Sequence, residues 1–392
     1  MQGVMKISKI VENMPPSGIR VFFDLVVGMK DVISLGVGEP DFVTPWHVRE
    51  SAIYAIEKGY TSYTSNKGLP EFRQAISKYL KHKHGLDYDP EEEILITVGV
   101  SEGYDLALRA LLNRGDEVLV PEPQYVAYGP IVELVGGKAV YIKTELSEGF
   151  KITPREIEKN CGKRTRGLVL NYPNNPTGKS YTRKELLEIA RVARKHDLVI
   201  ISDEIYCDLT YDFEHTSFPS LPGMRERTIY LNGFSKSFAM TGWRVGYACG
   251  PKEIIAAMNK VHQYTMLCAS IISQMAAMEA LKNGEQPVNE MKREYKRRRE
   301  FVIARLNEIG LACHKPEGAF YAFPSIKSTG LSSMEFAQKL LKEEKVAVVP
   351  GTAFGKTCED HVRMCYASSF ENLREAMKRI ERFLKRRKQK ND

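Results

Sequence analysis

Leu198-Val199-Ile200-Ile201-Ser202-Asp203 is a nearly continuous apolar run that stops on an acid. A strand with one wet face alternates apolar and polar residues. A run that is apolar at almost every position suits a strand covered on both sides, as in a parallel sheet flanked by helices. Just upstream, Thr182-Arg183-Lys184-Glu185 has capping-box spacing and opens a helix to about His196. Downstream, Thr228 to Leu231 and Val245 to Ala248 read as further strands. Working back, Arg166 to Asn171 reads as a strand ending in the turn-rich Pro173-Asn174-Asn175-Pro176-Thr177-Gly178, with Lys138 to Lys143 and Glu117 to Val120 before it. Ile94 to Val98 leads through Gly99 into a helix from about Ser101 to Asn113. Leu69 to His84 is a helix with Pro70 in its first turn, Phe72, Ile76 and Leu80 on one face, and Gly85 as its stop. Strands alternating with helices predict an α/β fold with a mostly parallel, helix-flanked sheet, whose ligands gather beyond the carboxyl ends of the strands.

After about residue 285 the texture changes. Long charged helices (Val288 to Glu308, Ser333 to Glu343, Asn372 to Arg387) frame short apolar runs at Ala319 to Phe323 and Val346 to Val349. The expected division is a large domain over 47–285 and a smaller α+β domain built from both termini, 1–46 and 286–392. The balance of 43% hydrophobic and 27% charged residues over 392 positions is that of a globular chain and excludes a disordered one. Seven cysteines, odd in number and without any C-x-x-C, argue against a zinc ribbon or disulfide framework and for reduced thiols. No metal site is expected. The first ten residues have no long apolar core behind their lysines, and no run approaches the roughly 18 apolar residues that span a bilayer. A cytoplasmic protein without membrane contact is the expectation.

A net charge of +8 raises nucleic acid or a smaller anion as partner. Half of that excess lies in the last eight residues, which hold five basic side chains and one acid. Solvated helix faces and a frayed terminus account for that tail and for Arg297-Arg298-Arg299, so no nucleic-acid partner is expected. Three other places carry chemistry. Thr97-Val98-Gly99-Val100-Ser101-Glu102-Gly103 takes a strand into a helix through a glycine turn, the kind of junction that seats a phosphate; read alone, it is only a turn and a cap. Asp203, closing the apolar strand with Tyr206 three residues on, needs a cationic partner if buried, although an acid at a strand end is as often a helix cap. In Asn232-Gly233-Phe234-Ser235-Lys236-Ser237-Phe238-Ala239-Met240-Thr241-Gly242-Trp243-Arg244-Val245-Gly246, a lysine and an arginine sit among small and aromatic residues. A lysine in such company has a lowered pKa and serves as an amine nucleophile or base, unless it is simply an exposed loop lysine.

The segment around Lys236 resembles the cofactor-lysine motif of class I/II aminotransferases, which are fold-type-I pyridoxal-phosphate enzymes. Gly36-Val37-Gly38-Glu39-Pro40-Asp41-Phe42, Tyr63 to Pro70, Asn174 to Gly178, Ser202-Asp203-Glu204-Ile205-Tyr206 and His361-Val362-Arg363 follow in the family's order, from about residue 34 to 370. The resemblance implies pyridoxal 5′-phosphate as cofactor and a ping-pong exchange between an L-amino acid (aspartate, aromatic or a broad range) and a 2-oxo acid such as 2-oxoglutarate. Lys236 would carry the cofactor as a Schiff base, which becomes pyridoxamine phosphate once the amino group is transferred. The freed lysine would move the proton. Asp203 would pair with the ring nitrogen and keep the ring an electron sink. Tyr206 and Asn175 would hydrogen-bond the ring oxygen, and Tyr125 would stack on the ring. Arg244, Ser235 and the Val100, Ser101, Glu102 turn would bind the phosphate, joined by Tyr63 from a neighbouring subunit of a homodimer. Arg363 would take the α-carboxylate bidentately, shared with Asn175 and Gly38.

Three positions depart from the best-known aspartate aminotransferases. Tyr125 stands where they have tryptophan and Gly233 where they have serine. Tyr264 to Ser270 lacks the arginine that reads a side-chain carboxylate across the dimer, leaving Tyr264, His262, Lys67 or Arg20 as stand-ins and making aromatic donors a competitor to aspartate. An alternative is another pyridoxal-phosphate reaction on the same fold, β-elimination or decarboxylation. A DNA-binding regulator on this fold carries an extra domain ahead of the motifs, for which the forty residues before them leave no room.

Overall fold

The computed structural model describes residues 7–19 and 28–391. Its strands are β1 (Ile33–Ser34), β2 (Ile94–Thr97), β3 (Glu117–Glu122), β4 (Lys138–Lys143), β5 (Thr165–Asn171), β6 (Val199–Asp203), β7 (Thr228–Gly233), β8 (Gly246–Cys249), β9 (Tyr321–Ala322), β10 (Val346–Ala347), β11 (Val349–Pro350) and β12 (Val362–Cys365). Seven of them form one sheet in the order β2-β8-β7-β6-β5-β3-β4. Strands β3 to β7 pair in parallel, and β8 alone runs against its neighbours. The apolar run that predicted two covered faces has them. Ile200 packs with Leu119, Leu168 and Leu170 on one face, and Ile201 with Val118, Val169 and Leu231 on the other, all at most 1% exposed. Each such side chain contributes about 1.5–3 kcal/mol by leaving water.

Register decides where the site lies. Asn171 is paired with Asp203, Asp203 with Leu231, Gly233 with Gly246, and Gly246 with Thr97. The carboxyl ends of β2, β5, β6 and β7 therefore finish along one edge of the sheet, where the loops turn.

A second group of strands lies outside that sheet. β1 pairs in parallel with β10, and β11-β12-β9 form an antiparallel trio. The chain just after β1 is stitched between these two: Leu35 donates to Ala347 O, and Cys365 donates to Leu35 O. N-terminal and C-terminal segments thus pack together. The helix Glu285–Glu308 starts three residues earlier than the charge pattern predicted. Gly284 marks the break, and Pro287 sits in the first turn, where its missing N–H costs nothing. The helix Gly99–Leu111 also starts early, at Gly99 rather than Ser101. Val98 is its N-cap, and Glu102, not Ser101, accepts the Val98 N–H at 2.5 Å. The capping box at Thr182 forms as expected, Thr182 Oγ1 accepting from Glu185 N at 3.3 Å. Among the described residues no helix is long and apolar enough to cross a membrane, and the described cysteines are all free thiols. In the basic C-terminal helix, Arg382 and Arg386 pair with the buried Glu344.

Candidate active site

A cavity of about 300 Å³ opens at that edge of the sheet. β6 delivers Asp203 to its floor, only 5% exposed. Its partners are neutral donors: Tyr128 gives its hydroxyl to Oδ2 at 2.7 Å, and Ile205 its amide to Oδ1 at 3.2 Å. Burial pushes the carboxyl up to about 6, against the pull of those two donors. Tyr206, three residues on, exchanges a hydrogen bond of 2.7 Å with Tyr321. Burial, reinforced by Tyr321, holds its hydroxyl well above the ordinary tyrosine value, so it stays neutral.

The loop after β7 brings Ser235 and Lys236 to the cavity. Lys236 Nζ donates to Gly38 O at 2.6 Å and lies 5.9 Å from the ring centres of Tyr206 and Phe320. Burial lowers this amine to about 8; Cys365 opposes the shift, while Arg363 and Arg244 add to it. Arg244 sits in the left-handed region, φ 51° and ψ 57°, and donates to Thr241 O at 3.0 Å. Its guanidinium lies against the Gly99 turn so closely that a Cβ on Gly99, itself at φ +75°, would come within 2.7 Å of Nη2. The turn's positive φ calls for glycine there, and the bare backbone leaves the guanidinium room to lie against it. Val100 and Ser101 line the cavity beside it, at the amino end of a helix, where N–H groups and helix dipole favour an anion.

Opposite stands Arg363 on β12, 1% exposed between the rings of Tyr321 at 4.7 Å and Phe354 at 4.9 Å. One Nη donates to Asn175 Oδ1 at 3.0 Å and the other to Gly36 O, while Nε is buried without a partner. Asn175 is held by its own amide, which donates to Asn171 Oδ1 at 2.9 Å. Tyr125 lines the cavity from the loop after β3 and meets Tyr128 edge to face at 5.6 Å.

The predicted residues Gly38, Val100, Ser101, Tyr125, Asn175, Asp203, Tyr206, Ser235, Lys236, Arg244 and Arg363 thus share one cavity. Two others do not line it. Tyr63 is 83% exposed, and the Glu102 carboxylate turns away to accept from His262 Nδ1 at 2.6 Å as well as from Val98. That bond also removes His262 as a reader of a substrate carboxylate. Lys67 donates to Glu91 O at 2.6 Å, and Tyr264 is 90% exposed, so neither reaches the cavity of its own chain. Arg20 falls outside the described residues.

Sequence reasoning missed Tyr128 and Tyr321. Tyr128 stands three residues after Tyr125, and Tyr321 lies in the apolar run Ala319 to Phe323. Only their register against Asp203 and Tyr206 gives them away.

The residues present fit pyridoxal phosphate. A buried carboxylate with only neutral partners lacks a countercharge, which a protonated ring nitrogen supplies. The Gly99 cradle under Arg244 suits a phosphate, and Arg363 Nε is a buried donor without a partner, a group that a carboxylate could satisfy.

Comparison with known proteins agrees. A family model described as aminotransferase class I and II matches residues 30–380. The chain is similar to an aspartate aminotransferase of Pyrococcus abyssi, 48% identical over 98% of this chain and 100% of the relative. It is equally similar to an aromatic-amino-acid aminotransferase 2 of Thermococcus litoralis, 48% identical over the same shares. The solved structure of an aromatic aminotransferase from Pyrococcus horikoshii OT3 superposes with a TM-score of 0.90, at 48% identity over 94% of this chain and 99% of that one.

Proposed function

The chain belongs to the class I and II aminotransferase family, and from that premise we propose how its cavity divides the work and which donors it takes. The enzyme is pyridoxal-phosphate-dependent and moves an amino group from an L-amino acid to a 2-oxo acid. When bound, the cofactor supplies the electron sink that lets the substrate α-carbon release its proton. Lys236 Nζ holds the cofactor covalently and later carries that proton. Its depressed pKa of about 8 leaves a share of free amine near neutral pH that an ordinary lysine lacks. Asp203 keeps the ring nitrogen protonated. Tyr206 and Asn175 hydrogen-bond the ring oxygen, and Tyr125 covers the ring. Arg244, Ser235 and the Val100, Ser101, Glu102 turn take the phosphate. Arg363, with Asn175 and Gly38, orients the α-carboxylate.

The observation that carries this reading is the meeting of Lys236, Asp203, Arg244 and Arg363 in one cavity. The half-reaction tests it: amino donors should convert the lysine-bound cofactor to its aminated form, whereas release of ammonia or carbon dioxide would favour elimination or decarboxylation.

Aromatic and other apolar donors rank ahead of aspartate in this proposal. Among the described residues, each cation lining the cavity, Lys236, Arg244 and Arg363, already has a task, and Ile19, Tyr125 and Tyr321 supply an apolar wall. A single-turnover panel of aspartate, glutamate, alanine, leucine, phenylalanine and tyrosine checks this; aspartate reacting fastest would reverse the ranking. We further propose a cytoplasmic homodimer. The exposure of Tyr63 and Tyr264 supports Tyr63 reaching the neighbouring subunit's phosphate. The pairing of β1 with β10 supports the division into 47–285 and 1–46 with 286–392.

A further inference from the structure

The segment Gly36 to Thr44 crosses the cavity as a strap. Two of its carbonyls engage the reactive cations: Gly36 O accepts from Arg363, and Gly38 O accepts from Lys236 Nζ at 2.6 Å. Farther on, Glu39 Oε2 accepts from Thr241 Oγ1 at 3.2 Å, and Thr44 Oγ1 donates to Ala239 O at 2.6 Å. The strap is therefore tied to both walls of the cavity. Between these ties, Asp41 is gripped from outside. Arg298 Nη1 donates to both of its carboxylate oxygens at 2.8 Å. Arg298 belongs to the long helix Glu285–Glu308 and is steadied there by Glu294, which accepts from its Nε at 2.9 Å. Its guanidinium carbon lies 5.5 Å from the Phe42 ring centre and 5.6 Å from that of Tyr295, and those two rings meet edge to face at 5.5 Å. The arginine side chain is 8% exposed.

We propose that Arg298 is a positioning residue for substrate: through Asp41 it fixes the strap, and through the strap the place of Gly38 against the α-carboxylate. An arginine in the run Arg297-Arg298-Arg299 reads as part of a solvated helix face. Arg297 fits that reading, since its side chain is 60% exposed. Arg298 does not. A nearly buried guanidinium spent on a carboxylate in a different segment holds geometry, because such a pair is costly to bury and adds little to stability against an apolar replacement. Displacing a substrate-orienting group by even an ångström costs turnover efficiency heavily. The effect falls first on substrate. Arg298 touches none of the groups assigned to phosphate or ring, and the strap it holds meets Arg363 through Gly36 O as well as Lys236 through Gly38 O, a bond Lys236 gives up once it carries the cofactor.

This inference rests on the function proposed above, and its test separates the two. Arg298→Met keeps the apolar stem between Phe42 and Tyr295 and deletes the ion pair; Asp41→Asn deletes it from the other side. Both holoenzymes should keep the wild-type visible spectrum, with KM for the amino acid raised on the order of tenfold and kcat within about threefold. Arg298→Lys should recover part of the KM, having the charge without the fork. Amide hydrogen exchange over residues 36–42, measured on the cofactor-free chain, should quicken in both deletions. Unchanged KM with unchanged exchange overturns the clamp. So does a fall in kcat and thermal stability that lysine does not relieve. If the wild type transaminates no donor, the functional reading fails, while the exchange comparison still decides whether Arg298 holds the strap.

Discussion

Tyr128→Phe removes a single oxygen from the cavity floor, and its consequence can be worked through. The ring stays packed against Tyr104, 4.9 Å away, and Tyr125, so the change is nearly isosteric. What is lost is the 2.7 Å hydrogen bond to Asp203. A hydrogen bond to a charged group contributes about 1.5–3 kcal/mol, and one pKa unit corresponds to about 1.36 kcal/mol. The Asp203 carboxyl, now at about 6, should rise by about one to two units. Donation stabilises the ionised form, so removal shifts the pKa upward. The bond is lost equally from the cofactor-free and cofactor-bound ionised states, and only competition from the proton remains. At pH 6.5 the ionised fraction falls from roughly three quarters to between roughly a quarter and a thirtieth, which weakens pyridoxal phosphate binding by roughly 3- to 25-fold. At pH 9 both carboxylates are ionised and the affinities converge. Spectroscopic titration of the cofactor-free proteins between these values reads the ratio of dissociation constants, in which the cofactor's own titration cancels. A ratio flat across that range would refute the reasoning.

Asp203→Asn should stabilise the cofactor-free protein. A carboxyl raised from 3.8 to about 6 by burial binds its proton more tightly folded than unfolded. Its stability is full below the unfolded pKa and is lost as pH rises through about 6, by roughly 3 kcal/mol. Urea unfolding should find the variant ahead by up to that amount at pH 7.5 and level with wild type near pH 3.5; a constant gap would contradict the origin. Lys236 in the cofactor-free chain should react with an amine-directed acylating reagent with a midpoint near pH 8, read by peptide mass spectrometry; a midpoint above 10 would mean the amine is not perturbed. Arg363→Lys should lower kcat/KM for every amino acid by about thirtyfold or more, roughly 2 kcal/mol, with the cofactor spectrum intact. A loss confined to one donor would assign Arg363 to the side chain instead.

The sheet was legible because physics acts locally there. Leu198 to Ser202 is apolar on both faces, since helices cover both, and Thr182 with Glu185 announces a helix start in four residues. Lys236 and Arg244 were legible through their unusual neighbours, and Arg363 only through the order of the motifs. Tyr128 and Tyr321 were not: a tyrosine's role here is fixed by which hydroxyl it meets across the fold. Glu102 shows a related point: its backbone lies in the turn assigned to the phosphate, while its side chain goes back to Val98 and His262, which the sequence does not announce. Arg298 lies in a basic triplet whose members look alike in sequence, and only the fold brings Asp41 to one of them. β8 runs against β7, and the segment between them that carries Lys236 holds only a short 3-10 turn at Thr241–Trp243, with no crossover helix of the kind a parallel return uses.

The central claim is that Lys236 carries the cofactor and the transferred proton. Wild-type protein loaded with pyridoxal phosphate and reduced with borohydride should yield one modified peptide, labelled on Lys236. Lys236→Ala should show no reducible visible band and no turnover with any donor. Cofactor fixed on another lysine, or transamination surviving in Lys236→Ala, would contradict the account.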